Sequence, residues 1–246
     1  MTSVLVAGGA TGIGRACVGL LRARGVNVYL ADINLDAAHA AAAEPAGGQI
    51  RVGRHDLADV DAPSAAVAAA LEAFGGLDGL VVTAGLHVVA PVEEYPVDAW
   101  DCTMAINVRA PFLFVQAAAV ALAENGGSVV LTGSTAAFRG SRGTFAYAAS
   151  KGALVSLTRS LAVELGPRGV RINCVCPGWI DTPFNDPYWS LQQDRDAALA
   201  DLLTRVPLGR QGTPSDVAQL IVQLLGPDTA YVTGQSIVVD GGLLST

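Results

Sequence analysis

Short apolar segments recur along the chain, and each is followed by a longer segment with helical periodicity. Residues 79–83 (GLVVT) and 127–131 (GSVVL) are continuous apolar runs, which is typical of strands that helices cover on both faces. Residues 15–24 (RACVGLLRAR) instead repeat their apolar positions every three to four residues, as amphipathic helices do. The predicted strands lie at residues 3–7, 27–31, 49–54, 79–83, 127–132, 170–176 and 235–239.

Helices predicted between these strands place the chain in the α/β class. They lie at about residues 14–24, 34–44, 61–75, 96–124, 145–166 and 214–225. This alternation predicts a single domain over residues 1–246, with a doubly wound, Rossmann-type parallel sheet and helices on both faces. Ligands bind beyond the carboxyl ends of the strands in such a sheet, so residues that follow the strands are the candidates for a site.

The composition indicates a large buried core and argues against a nucleic-acid partner. Hydrophobic residues make up 51% of the chain, charged residues 15%, and the net charge is −7 without a basic cluster. The longest apolar run, near residues 117–123, is too short to span a bilayer. Only Met1 and Thr2 precede the first strand. We therefore expect no membrane partner, no signal peptide and a cytoplasmic location.

The four cysteines show no disulfide framework and no metal-binding pattern. Cys174 and Cys176 alternate on a predicted strand and so share one of its faces. A metal site would need two more such ligands, and the three histidines stand apart from this pair. Buried free thiols and no metal are expected.

A glycine-rich turn joins the first strand to the first helix. Gly8, Gly12 and Gly14 have the spacing G-x-x-x-G-x-G. Glycines let the backbone approach a ligand without a clashing Cβ, and a helix N-terminus offers free N–H groups and a partial positive charge. Strand, glycine turn and helix in this order predict a site for a dinucleotide pyrophosphate.

Asp32 ends the second predicted strand, about twenty residues past the glycines, where a carboxylate accepts hydrogen bonds from the adenosine ribose. It would also repel a 2′-phosphate. No arginine or lysine follows it directly, and Thr11 in the glycine turn is uncharged. Arg15, beside the turn, is a weak contrary signal. The expected cofactor is NAD rather than NADP.

Tyr147 and Lys151 lie one helical turn apart in a segment without proline (AYAASKGALVSLTRSL), so their side chains are on the same face of the helix. A phenol has a pKa of ~10 and is a poor base at neutral pH. A nearby ammonium group stabilises the phenolate and lowers the pKa. The pair is therefore a candidate for acid–base chemistry.

Taken together, these motifs resemble the short-chain dehydrogenase/reductase family over essentially the whole chain. The carrying segments are AGGATGIG (7–14), Asp32, HDL (55–57), Ala84-Gly85, INVRAPF around Asn107, TGSTA around Ser134, YAASK (147–151), PGWIDT (177–182) and the closing VTGQSIVVDGG. Ser134 lies 13 residues and Asn107 40 residues before Tyr147, which is the usual spacing in the family.

The resemblance implies four catalytic residues. Tyr147 would act as general base in alcohol oxidation and as general acid in ketone reduction. Lys151 would lower the pKa of the phenol and bind the nicotinamide ribose, and Ser134 would hold the substrate oxygen. Asn107 would hold a water that links Lys151 to solvent.

The resemblance also implies a set of cofactor-binding residues. Asp56 would lie near the adenine amino group, although it could equally cap the segment that follows. Ile180 and Thr182 would lie near the carboxamide. The full set is Gly8, Thr11, Gly12, Ile13, Gly14, Asp32, Asp56, Leu57, Ala84, Gly85, Tyr147, Lys151, Pro177, Gly178, Ile180 and Thr182.

The chain departs from the family where Asn-Asn-Ala-Gly usually follows the fourth strand. Here Val82 and Thr83 replace the two asparagines, and we expect Thr83 to support the central sheet less well. His87 follows shortly after. It could face the substrate, but a structural or merely polar role is favoured.

Residues 179–207 correspond to the substrate loop of the family. Their aromatic residues predict either a lid over the nicotinamide or a contact with a neighbouring subunit. Phe138, Arg139 and Arg142 could border the same pocket, and an inward-facing arginine would favour an anionic substrate. The aromatic and apolar residues of the loop are Phe184, Tyr188, Trp189 and Leu191.

The predicted function is NAD-dependent interconversion of a secondary alcohol and a ketone, with a small apolar or cyclic substrate. One alternative is an NADPH-dependent 3-oxoacyl-thioester (acyl carrier protein) reductase, against which Asp32 and the negative charge argue. Another is a non-catalytic NAD-binding regulatory protein, although such proteins often lose a catalytic residue. A sugar-nucleotide epimerase is disfavoured, since the chain has no room for a separate substrate domain.

Self-association is also expected. The predicted helices 96–124 and 145–166 are rich in alanine and leucine, as expected of helices paired across a two-fold axis. The resemblance implies a homotetramer.

Overall fold

A computed structural model describes residues 1–245 as one seven-stranded sheet with the order β3-β2-β1-β4-β5-β6-β7. All neighbouring strands are parallel. The doubly wound α/β prediction is confirmed; Thr246, the last residue of the predicted domain, lies outside the described residues. The strands are β1 (Ser3–Ala7), β2 (Asn27–Asp32), β3 (Ile50–Arg54), β4 (Gly79–Val82), β5 (Ser128–Thr132), β6 (Arg171–Pro177) and β7 (Ser236–Val239).

Helices cover both faces of this sheet. They are α1 (Gly12–Ala23), α2 (Leu35–Ala42), α3 (Ala62–Phe74), α4 (Val97–Met104), α5 (Ala110–Glu124), α6 (Phe145–Leu165), α7 (Asp186–Trp189), α8 (Arg195–Thr204) and α9 (Pro214–Leu225).

The side chains of each strand divide between two cores, because successive residues point to opposite faces. Leu5 packs with α3, α5 and α6 on one face. Val4 and Val6 pack with α1, α2 and α9 on the other. Burial on both faces explains why the strands read as continuous apolar runs.

The predicted helix 96–124 is interrupted. Residues Ala105–Arg109 form a π-helical turn between α4 and α5, which the apolar periodicity did not predict. The span Val97–Glu124 is long and apolar enough to cross a membrane by length and composition. Phe114, Ala118 and Leu122 of this span are fully buried in the core under the sheet, which identifies it as a core helix.

Candidate active site

The carboxyl ends of the strands open onto a cavity of about 660 Å³. Asn107 is the one predicted site residue that does not reach its wall. The predicted residues that line it are Gly8, Thr11, Gly12, Ile13, Gly14, Asp32, Asp56, Leu57, Ala84, Gly85, Ser134, Tyr147, Lys151, Pro177, Gly178, Ile180 and Thr182. One cavity therefore joins the glycine turn to the Tyr147 helix.

The glycine turn has a conformation that other residues would strain. Gly8 has a φ of +82°, and a Cβ there would lie 2.4 Å from the backbone nitrogen of Ala84. A Cβ on Gly14 would lie 2.0 Å from the carbonyl oxygen of Gly8. No side chain caps α1, since Thr11 makes no capping bond and the first turn has no acidic residue. The N-terminus of α1 is therefore suited to a phosphate group.

Asp32 lies at the cavity end of β2 with its carboxylate fixed by the backbone. One oxygen accepts a hydrogen bond from Ala10 N and the other from Asn34 N, both at 3.0 Å. Arg15 is engaged elsewhere, with its Nε 3.0 Å from Glu44 Oε1. Of these two side chains, only Asp32 lines the cavity.

Asp56 makes the capping bond that the sequence left open, and its role beside the adenine stays a prediction. Its Oδ1 accepts a hydrogen bond from Ala58 N at 3.0 Å, which stabilises the turn after β3. The residue also lines the cavity beside Leu57. Capping the local turn does not exclude a contact with a ligand.

Thr83 supports the sheet directly, contrary to the expectation of weak support. Its hydroxyl lies 3.1 Å from the carbonyl oxygen of Ala7 and 3.0 Å from that of Gly8. The side chain thus ties the end of β4 to the start of the glycine turn.

Tyr147, Ser134 and Lys151 come together at the end of β5 and the start of α6. Tyr147 is 9% exposed and Lys151 3%. Lys151 Nζ lies 5.5 Å from the centre of the Tyr147 ring and donates a hydrogen bond to Thr132 O at 2.7 Å. The hydroxyl of Ser134 interacts with the phenol of Tyr147. The arrangement holds a phenol, a hydroxyl and an ammonium group at one end of the cavity.

The pKa of Tyr147 differs from the expectation. Burial raises it to about 12, and the hydrogen bond with Ser134 opposes this only in part. Burial likewise lowers the pKa of Lys151 to about 8. The expected lowering of the Tyr147 pKa is therefore not seen, because desolvation dominates, and the phenol is protonated at neutral pH.

Asn107 is fully buried in the π-helical turn. Its Nδ2 donates hydrogen bonds to Leu86 O at 2.9 Å and to Ser150 Oγ at 3.0 Å, and its Oδ1 accepts one from Leu86 N at 2.7 Å. The amide is therefore satisfied by protein groups and fixes the segment after β4. A water-holding role stays a prediction.

The substrate loop contributes an aromatic wall to the cavity. Trp179, Tyr188 and Trp189 pack together with ring centres 4.7 to 5.2 Å apart. Phe184 lines the cavity and is 38% exposed, whereas Leu191 points to solvent. The loop also contains the short helix α7 and the helix α8.

Several residues of the cavity wall carried no clear sequence signal. His87 was singled out only as a histidine with a favoured structural role, yet it lines the cavity. Arg139 also lines it, whereas Phe138 and Arg142 are not among its lining residues. Ser141 and Thr144 lie between the recognised motifs around Ser134 and Tyr147 and reach the cavity through the loop before α6.

Comparison with known proteins identifies the fold and its chemistry. A family model described as enoyl-(acyl carrier protein) reductase matches residues 8–244. A solved short-chain dehydrogenase/reductase from Serratia marcescens BCRC 10948 is 36% identical, with a TM-score of 0.90 over 98% of this chain and 97% of the other. The chain belongs to the short-chain dehydrogenase/reductase family.

Two relatives of established activity extend this result. A 2,5-dichloro-2,5-cyclohexadiene-1,4-diol dehydrogenase from Sphingobium indicum is 39% identical over 98% of this chain and 96% of its own. A trans-4-hydroxycyclohexanecarboxylate dehydrogenase from Sinomonas cyclohexanicum is 34% identical over 97% and 91%. This member of the family is an oxidoreductase that interconverts secondary alcohols and ketones with a nicotinamide cofactor.

Proposed function

We propose that the protein is an NAD-dependent dehydrogenase of small cyclic secondary alcohols, with Ser134, Tyr147 and Lys151 as its catalytic residues. This proposal rests on one observation: the three side chains converge on a cavity that is also lined by the glycine turn. Two relatives that act on cyclic alcohols support the substrate class.

The residues present fit a nicotinamide dinucleotide. Gly8 and Gly14 leave room where any Cβ would clash, and the start of α1 has uncapped N–H groups for the phosphates. When bound, the cofactor supplies the acceptor or donor of the hydride. Asp32 supports NAD over NADP, because its fixed carboxylate would repel a 2′-phosphate.

Tyr147, Ser134 and Lys151 have different roles in the proton transfer. In ketone reduction, Tyr147 donates its proton to the carbonyl oxygen. In alcohol oxidation, the Ser134 hydroxyl and the Lys151 charge stabilise the phenolate that accepts the proton. Asn107 positions the segment of residues 84–87 through its two bonds to Leu86. Phe184 and Trp179, which line the cavity, restrict the entry of water.

The same site supports the less favoured functions less well. An oxoacyl-thioester reductase of this family would need room for a 2′-phosphate beside Asp32 and a basic surface for an acidic carrier, whereas the net charge is −7. A non-catalytic NAD-binding protein would not need the buried Tyr147 and Ser134 pair.

We further propose that the protein is a homotetramer, which is supported by exposed apolar residues on the long helices. We also propose a cytoplasmic location, which is supported by the four free cysteines.

The test is turnover followed by the absorbance of reduced nicotinamide. Cyclohexanol and substituted cyclic alcohols are assayed with NAD and NADP side by side, and cyclohexanone with NADH and NADPH. The proteins are the wild type, Tyr147→Phe and Tyr231→Phe. Because Tyr147 transfers the proton, its variant should lose about 10²- to 10⁴-fold in kcat. Tyr231 is fully exposed, and its variant should match the wild type.

Other outcomes would redirect the assignment. A preference for NADP would contradict the role of Asp32 and favour the thioester reductase. Tight NAD binding without turnover on any alcohol or ketone would favour the non-catalytic protein.

A further inference from the structure

His87 is a buried residue of the cavity wall whose ring nitrogens make no hydrogen bond with the described residues. The residue follows β4, lines the cavity and is 9% exposed. Neither ring nitrogen has a hydrogen-bond partner among the described residues. Burying an unpaired donor and an unpaired acceptor carries a desolvation penalty, so such a group calls for a functional explanation.

The other histidine next to this cavity behaves differently. His55 also lines the wall, but its Nε2 lies 3.2 Å from the hydroxyl of Tyr29. That contact is the ordinary arrangement for a half-buried histidine with a structural role. His87 has no equivalent contact, although the sequence favoured a structural or merely polar role for it.

Its neighbours place His87 beside the reacting group. The His87 ring centre lies 4.5 Å from that of Tyr147 and 5.7 Å from that of Phe184, on which it stacks with an interplanar angle of 20°. Burial, together with the charge of Lys151, lowers the pKa of His87 to about 4. At neutral pH the imidazole is uncharged and offers one N–H donor and one nitrogen acceptor.

We propose that His87 binds a second oxygen of the substrate, carried on a carbon close to the reacting one, and that the substrates are diols and hydroxyketones. This inference rests on the proposed function, since Tyr147 must hold the first oxygen. The ring contact between His87 and Tyr147 keeps the two oxygens a short distance apart. A hydroxyl matches either nitrogen, because it both donates and accepts.

Phe184 packs on the His87 ring and has to move before a substrate oxygen can bind there. It stacks on the His87 ring, yet 38% of it is exposed, and it lies in the short 3₁₀ turn Pro183–Asn185 of the substrate loop. Because the Phe184 ring is already partly exposed, its displacement would open space for a ligand beside the imidazole. The second oxygen then replaces an aromatic contact with a hydrogen bond.

The test compares two substrates across matched variants. With saturating NAD, kcat/KM is measured for 1,2-cyclohexanediol and for cyclohexanol in the wild type, His87→Leu, His87→Phe and His87→Gln. The ratio of the diol value to the cyclohexanol value should fall about 10- to 100-fold in the Leu and Phe variants. It should be largely retained in His87→Gln, whose amide offers a donor and an acceptor. His39→Leu, at an exposed histidine of α2, is the matched control.

An unchanged ratio in both apolar variants, or an equal loss on the two substrates, would overturn the inference. Circular dichroism confirms that each variant is folded, and two apolar replacements guard against one that is not. A failure of the proposed function can be distinguished from a failure of this inference, because the wild type would then turn over neither cyclohexanol nor the diol.

Discussion

At the residue scale, Tyr147 shows how burial competes with local polar contacts. The sheet and α6 enclose the phenol, and desolvation raises its pKa to about 12 in spite of the Ser134 hydroxyl. The same burial lowers the pKa of Lys151 to about 8. The two shifts move the proton affinities of the phenol and the amine apart, so that burial makes the phenol hold its proton more tightly and the amine less tightly.

Asp32 supports a prediction about cofactor choice. Replacing it in Asp32→Asn removes the negative charge but keeps the size of the side chain and one acceptor for its backbone contacts. The ratio of kcat/KM for NAD over NADP should fall by at least about tenfold, because the repulsion of a 2′-phosphate is lost. Steady-state kinetics with both cofactors measure this ratio.

Asp36→Asn is the control for that experiment, since Asp36 is exposed in the first turn of α2. It removes the same charge a short distance away and should leave the ratio unchanged. An equal change in both variants would attribute the preference to the general negative potential rather than to the Asp32 contact.

At the element scale, the start of α9 holds the substrate loop against the body of the protein. Residues Ile180 and Gly212 form a bridge, and Gly212 N donates to Trp179 O at 2.9 Å. Directly after this bridge, Thr213 and Asp216 form a capping box, with Pro214 as the first helical residue. The helix that starts there packs its apolar face on α1 and the sheet.

Loss of this cap should destabilise the protein. In Thr213→Val, the hydroxyl that accepts from Asp216 N at 3.2 Å is removed. We expect the free energy of unfolding to fall by about 1 kcal/mol, measured by urea denaturation at one protein concentration. Ser215→Ala, in the same helical turn, should change it by less than about 0.5 kcal/mol. Equal effects would show that the capping box contributes nothing specific.

At the scale of the whole molecule, exposed apolar residues on the long helices indicate association. Val163 of α6 is 79% exposed and Val120 of α5 is 66% exposed. Apolar side chains grouped on long helices are typical of surfaces that pair across a symmetry axis. The homotetramer that we propose would cover them.

Light scattering tests that proposal. Four chains of 25.0 kDa give a particle of about 100 kDa, which we expect at micromolar concentration. Val163→Asp should reduce the mass, because a buried unpaired charge is costly at an interface. Val60→Asp, at an exposed site that precedes α3, is the control. A wild-type mass of about 25 kDa would contradict the tetramer.

The sequence by itself determined the order of strands and helices, the glycine turn, the end of β2 at Asp32 and the pairing of Tyr147 with Lys151. Each of these follows from neighbouring residues, through periodicity, helical spacing or the freedom of glycine at positive φ. Ser134 was also predicted as a catalytic residue, but only because its spacing to Tyr147 resembles that of a known family.

Only the tertiary structure decided the π-helical turn at Asn107, the raised pKa of Tyr147 and the unpaired nitrogens of His87 under Phe184. No local pattern distinguishes the π turn from the helix around it, and the pKa depends on how many distant segments exclude water from the phenol. Phe184 stacks on His87 although nearly a hundred residues separate them in the chain. Contacts of that kind depend on packing between segments, which propensity and periodicity within one segment do not encode.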